Sequence, residues 1–413
     1  MNVYLIVVLA ALTGHYLVNL LSDWLNIGNL REELPDEFAG FYDSDKYSQS
    51  QRYLRDNTRF ELIRSTVNLT VMLAMILGGG FNIVDIWARA AGWGVIPTGL
   101  IFAGILVLGS TVIQTPFSLY NIFVIEERYG FNKTTLKTFA LDQVKGLVLA
   151  VIIGAPVLAV IFWFFAAAGA MAWIYCWIAL TVFQIFIMFI APVVIMPLFN
   201  KFTPLEDGEL KTAIEDYAAG QNFKLKGVFT MDGSKRSSKS NAFFTGFGKF
   251  RRIVLFDTLI EKHSVDELVS VLAHEMGHYK KRHILMAIVR SIITLGITFF
   301  ILSLFIENRQ LFEAFKMSGE PTIYASLFFF GFLYIPIEMI LSLVENAISR
   351  RQEYEADRYA VETYKQSGAF VTALKKLSSD NLSNLTPHPF SVFLSYSHPP
   401  VLARIAAIEE GAD

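Results

Sequence analysis

Residues 146–199 read GLVLAVIIGAPVLAVIFWFFAAAGAMAWIYCWIALTVFQIFIMFIAPVVIMPLF, 54 positions without one Asp, Glu, Lys or Arg. A helix crosses the hydrocarbon core in about 20 mostly apolar residues, so this stretch is too long for one crossing and fits two. The small-residue run Ala166-Ala167-Ala168-Gly169 supplies a tight turn, which predicts a helical hairpin over 146–168 and 171–197. Outward from the hairpin, five further apolar segments of spanning length lie near 3–21, 66–86, 97–119, 284–306 and 322–344. The whole chain of 413 residues is 54% hydrophobic and only 17% charged, with a mean hydropathy of +0.45. Those values place it outside the range of soluble domains and predict a seven-helix membrane protein. The first segment has no Lys or Arg before it and no small-residue cleavage pattern after it, so it reads as a retained span.

A net charge of −2 leaves no basic excess for nucleic acid, so the location of the charges carries the information. Thirty of the 35 Lys and Arg fall within 22–61, 120–145, 199–283 and 345–413, which alternate spans leave on one side. The positive-inside rule assigns that side to the cytoplasm and the N-terminus to the outside. The division is then 1–198 for five spans with their loops, 199–283 for a first cytoplasmic segment, 284–344 for two further spans and 345–413 for a second cytoplasmic segment. The two polar segments meet on one face of the bilayer. Within them a helix is predicted over Phe202–Phe223, strands over Gly227–Met231 and Arg252–Asp257, and a helix over Val265–His283 opened by Ser264 with Glu267 three residues on. The single cysteine, Cys176, excludes an internal disulfide and a cysteine-based metal site.

His274-Glu275-Met276-Gly277-His278 places two imidazoles at i and i+4 on one helical face, a geometry that suits two corners of a tetrahedral Zn²⁺ site. Glu275 lies about 100° round the helix from His274, beside a bound water, which makes it the candidate general base. A catalytic zinc keeps three protein ligands and one open position. Glu353 and Asp357 repeat the i, i+4 spacing, so Glu353 is the candidate third ligand and Asp357 the candidate partner for the free N–H of a ligating histidine. A competing reading makes Glu353, Glu355 and Asp357 a solvated acidic face balanced by Arg350, Arg351 and Arg358. Five-residue spacing turns His283 away from the His274–His278 face, and His15, His263 and His388 lack a partnered pattern. Among intramembrane polar groups, Arg290 and Glu338 sit on adjacent spans and are expected to pair, while helix–helix hydrogen bonding accounts for Gln114 and Gln184.

These motifs, with Glu126-Glu127-Arg128-Tyr129-Gly130-Phe131-Asn132, Phe202-Thr203-Pro204-Leu205, Gly233 to Phe244, Arg252 to Leu259 and Ser397-His398-Pro399-Pro400, resemble the type I CAAX prenyl proteases. The resemblance spans most of the chain beyond residue 60. It implies an α-helical integral membrane protein whose seven helices enclose a chamber, with a small cytoplasmic α+β protease domain built from two segments. It further implies one Zn²⁺ per chain and a peptide or protein substrate, prenylated in the family's defining reaction. Asn241-Ala242 resembles the substrate-binding edge strand of related zinc peptidases, an ordinary turn being the alternative for Asn241. His398, before a stiff Pro-Pro pair, is the candidate oxyanion donor, with a structural histidine as the alternative. Arg404 is placed near the substrate, against a salt bridge to Glu409 or Glu410.

A connection of about fifteen residues between spans six and seven, and the tail Glu409-Glu410-Gly411-Ala412-Asp413 without a receptor-read retention signal, favour a bacterial inner membrane over the endoplasmic reticulum. A transporter would also use seven spans, but has no need of a glutamate between two histidines on a charged helix. In an intramembrane protease the motif would lie within a span; here Asp266, Glu267, Lys280, Lys281 and Arg282 flank it. A quality-control protease without a lipid requirement is the remaining alternative. Oligomeric state has no signature in the sequence.

Overall fold

Asp43 accepts from the backbone N–H of Lys46 and starts a helix, Ser44–Leu77, of 34 residues. At 1.5 Å per residue it runs about 50 Å, well beyond the hydrocarbon core, so its polar first half stands outside the membrane. The span expected near 66–86 is therefore corrected: the helix stops at Leu77, Gly79 turns the chain at φ 73°, and Gly80–Arg89 forms a separate amphipathic helix. Hydropathy found the apolar half of the long helix and merged it with the next one.

The computed structural model describes residues 2–31, 33–245 and 252–411; Ala412 and Asp413 of the tail lie outside them. Seven helical spans are present among them: Val3–Gly28, Ser44–Leu77, Val95–Glu126, Leu136–Ala167, Gly169–Phe199, His283–Ser303 and Ile323–Tyr364. Each touches the next in chain order and the seventh returns to the first, which closes a ring. The most apolar window of each span is only 0–17% buried, far too little for a solid bundle. The interior contacts gather instead at the two ends. One core joins Phe81, Phe102, Phe162, Phe312, Phe315 and Phe329 across the starts of the third and seventh spans. The other joins Tyr47, Phe60 and Ile125 to Ile253, Leu268 and Leu272 of the polar segments. The ring of helices thus encloses a chamber stopped at each end by a hydrophobic plug.

Three polar side chains inside the spans find partners across helices, as a low dielectric favours. Gln114 donates to Asn68 at 2.7 Å and Gln184 to Ser291 at 3.0 Å. Arg290 pairs with Glu345 at 3.0 Å, not with Glu338, two helical turns short of it.

The second plug carries a four-stranded sheet of order β1-β2-β4-β3, where β1 is Phe202–Pro204, β2 Gly227–Met231, β3 Ala242–Thr245 and β4 Arg252–Phe256. β2 and β4 run parallel, and the two outer strands are antiparallel to their neighbours. The helix expected over Phe202–Phe223 is divided: its first residues form β1, and the helix occupies Glu209–Gly220. Pro204 fits because it lies on an edge strand, where a missing N–H costs no ladder bond.

Candidate active site

Ser264 caps the helix Val265–Lys280 and Glu267 reaches back to the Ser264 N–H, a reciprocal capping box that fixes where the helix starts. Leu268, Val269, Leu272, Ala273 and Met276 bury one face in the core. His274 and His278 then emerge on the flank that meets the seventh span. Gly277 sets the separation: a Cβ there would lie 2.9 Å from Ala356 Cα and 3.1 Å from its carbonyl oxygen. Two backbones in such close contact bring Glu353, one turn before Ala356, against both imidazoles.

His274 Nε2 and His278 Nε2 are 3.2 Å apart. Glu353 Oε1 lies 3.2 Å from His278 Nε2, and Oε2 lies 3.4 Å from His274 Nε2. Zinc bonds of 2.0–2.2 Å at tetrahedral angles separate ligand atoms by about 3.3 Å. Two facing imidazole lone pairs repel without a proton or cation between them. Glu353 Oε2 is also buried without a hydrogen bond, with the Arg404 guanidinium 3.5 Å away, and a cation at the tripod would complete its pairing. The donor set, its spacing and its buried oxygen without a hydrogen bond all fit a divalent metal.

Asp357 Oδ1 lies 2.7 Å from His274 Nδ1, and Arg404 grips both Asp357 oxygens at 2.6 and 2.9 Å. An ionised Asp357 accepts only, so His274 donates from Nδ1 and leaves its Nε2 lone pair facing His278 and Glu353. Burial opposes charge on His274, but the hydrogen bond to Asp357 and the Glu353 carboxylate beside the ring outweigh it and raise the imidazole to about 9, so a metal entering there competes with a proton. Arg404 Nη1 also lies 3.5 Å from Glu353. Its guanidinium is therefore engaged by the acidic pair of the seventh span, not by Glu409 or Glu410.

Glu275 is half-buried and makes no hydrogen bond among the described residues. His398 is 63% exposed, its Nε2 3.4 Å from Glu353 Oε1 and its Nδ1 2.9 Å from Ser397 Oγ. Among the described residues β3 is an edge strand with β4 as its one neighbour. Asn241 precedes it, exposed, its carbonyl accepting from Phe256 N–H at 3.1 Å and its side chain from Ala242 N–H at 2.8 Å.

The reading of His283 needs correction. The helix expected to continue to His283 ends at Lys280, Arg282 takes a left-handed conformation (φ 62°), and a new helix starts at His283. That break returns the ring to His278, Nδ1 to Nδ1 at 3.0 Å, while His283 Nε2 meets Glu355 Oε2 at 3.1 Å. The charged run Lys280-Lys281-Arg282 before an apolar span was the available signal that helical spacing should not be carried through.

Seven membrane helices, a surface sheet and a His-His-Glu tripod define an integral-membrane metallopeptidase. Comparison with known proteins makes this specific: residues 24–201 match the family described as "CAAX prenyl protease N-terminal, five membrane helices", and residues 204–412 match "Peptidase family M48". The chain belongs to peptidase family M48 and is a membrane metalloprotease. It is 36% identical over 386 residues to the CAAX prenyl protease 1 homolog of Oryza sativa, covering 91% of this chain and 90% of that one. To CAAX prenyl protease 1 of Saccharomyces cerevisiae it is 38% identical over 408 residues, covering 91% and 88%. The crystal structure of S. mikatae Ste24p superposes with a TM-score of 0.94 at 33% identity, covering 99% of this chain and all of that one. These relatives, with those from Arabidopsis, mouse and human, are eukaryotic, which counters the expectation of a bacterial inner membrane. A short connection and the residues of the tail carry no information about compartment that outweighs similarity along nine-tenths of the chain.

Proposed function

We propose that this chain is a zinc endopeptidase, one Zn²⁺ per chain, that cleaves the C-terminal CAAX tails of prenylated proteins. His274, His278 and Glu353 hold the metal, and the observation that carries this is the tripod, whose ligand atoms converge at 3.2–3.4 Å from one another. When bound, the zinc polarises the scissile carbonyl and brings the pKa of a water down towards neutrality. Glu275 takes up the water proton and returns it to the leaving amine, a role that suits a carboxylate free of other hydrogen bonds. His398 donates to the oxygen on which charge develops, its exposure leaving it open to substrate. Asn241 and Ala242 start an edge strand to which an extended peptide adds by main-chain hydrogen bonds. Arg404 and Asp357 keep His274 in the tautomer that presents Nε2.

The CAAX substrate class is supported by similarity to CAAX prenyl proteases over more than nine-tenths of the chain. It is favoured over a lipid-independent quality-control protease. The excess of Lys and Arg on one side supports a site on the cytoplasmic face with the N-terminus opposite. The test pairs a farnesylated CAAX peptide with its unprenylated twin, using wild type and Glu275→Gln. Expected is cleavage of the farnesylated peptide after the modified cysteine, with turnover reduced by several orders of magnitude in a variant that retains one zinc. Equal cleavage of both peptides would overturn the prenyl assignment, and normal turnover in Glu275→Gln would overturn the base.

A further inference from the structure

His283 is 3% exposed and stands behind His278 on the side away from Glu353. Its two ring nitrogens each face one polar group, His278 Nδ1 at 3.0 Å and Glu355 Oε2 at 3.1 Å. Glu355 is in turn approached by Arg351 Nε at 3.1 Å, on an exposed part of the seventh span. The proton positions in this chain follow from one end. An ionised carboxylate only accepts, so His283 donates from Nε2 to Glu355. A neutral imidazole that donates from Nε2 accepts at Nδ1, so His278 donates from Nδ1. That leaves the His278 lone pair on Nε2, the atom 3.2 Å from both His274 Nε2 and Glu353 Oε1.

We propose that His283 and Glu355 are positioning residues for His278, doing through an interposed imidazole what Asp357 does directly for His274. Each metal-facing histidine then has a carboxylate behind it, Asp357 and Glu355, and both carboxylates come from the same helix as Glu353. The inserted imidazole spans the greater distance from Glu355 to His278. The left-handed Arg282 is the device that delivers it, because only a break between the two helices turns position 283 back towards position 278. Ring orientation is thus set on both histidines before metal enters, and each turns Nε2 towards it.

The inference rests on the zinc reading above, and zinc affinity separates the two. It is measured on the full chain in detergent by competition with a chromogenic chelator, with His274→Ala as control. His283→Leu, which fills the space and removes both hydrogen bonds, is expected to weaken zinc binding about 10–100-fold. His283→Asn retains an acceptor where Nδ1 stood and is expected to stay within about threefold of wild type, a rescue that loss of packing would not show. Glu355→Leu, on a half-exposed side chain, is expected to weaken binding by at least about fivefold and Glu355→Gln by less. Wild-type affinity in His283→Leu, or equal losses in the Leu and Asn variants, overturns the inference alone. Should His283→Leu fail to fold, unchanged affinity in Glu355→Leu overturns it. A wild type that binds no zinc overturns the metal reading and this inference with it.

Discussion

Asp357 holds two jobs at once, accepting from His274 and balancing the guanidinium of Arg404, whose side chain is only 11% exposed. Replacing it by Ala unties the His274 ring and leaves that arginine facing Glu353 alone. The expected result is a zinc affinity lower by about 10–100-fold, read by chelator competition. Unchanged affinity would return Asp357 to a structural role. Arg404→Ala strands the opposite charge, and breaking a buried pair from one side costs about 3–5 kcal/mol. A clearly lowered melting temperature of the purified protein is the check, and an unchanged one would mean that water replaces the guanidinium. Spacing alone nominated His274, Glu275, His278, Glu353 and Asp357, because i, i+4 geometry is local and needs no knowledge of the fold. The links of Arg404 to Asp357 and of His283 to His278 were hidden for the same reason. One joins positions 47 residues apart through tertiary structure, and the other depends on a backbone conformation that arginine seldom adopts.

At the scale of elements, the contact between the helix Val265–Lys280 and the seventh span decides whether the tripod exists. In an exposed helix interior Gly→Ala stabilises by about 1 kcal/mol. At Gly277 the sign should reverse, because the added methyl meets the Ala356 backbone, which cannot swing aside as a side chain would. Gly277→Ala is therefore expected to push Glu353 away from the histidines, lowering both zinc affinity and thermal stability; a stabilised, zinc-replete variant would show that the helices are not in contact there. The hydropathy of the spans was legible because lipid imposes a long apolar run on any helix. The ends were not: Ser44 to Arg64 continues a membrane helix with polar residues, and the partner of Arg290 depended on the rotation of two helices, which sequence does not specify.

For the whole molecule, the asymmetry of Lys and Arg becomes a test of orientation. Cys176 is fully buried, so it is silent to impermeant thiol reagents and the chain is already a labelling background. Arg309→Cys, at a side chain 61% exposed beyond the sixth span, is expected to react from the non-cytoplasmic side. Lys365→Cys, just past the seventh span, is expected to react only once the cytoplasmic side is opened. The reverse pattern would invert the topology. The Ile323–Tyr364 helix carries a wider consequence. It anchors at one end among the aromatic residues of the far plug and supplies Glu353 about 45 Å along. A nascent chain that has made the two histidines still lacks Glu353, the last of the proposed metal ligands, until this final span is synthesised, and Arg404 emerges some fifty residues later still. On the proposed ligand set, catalysis waits for biogenesis to finish: a ribosome-bound intermediate carries an incomplete site, and the protease arms itself only as its own membrane ring closes.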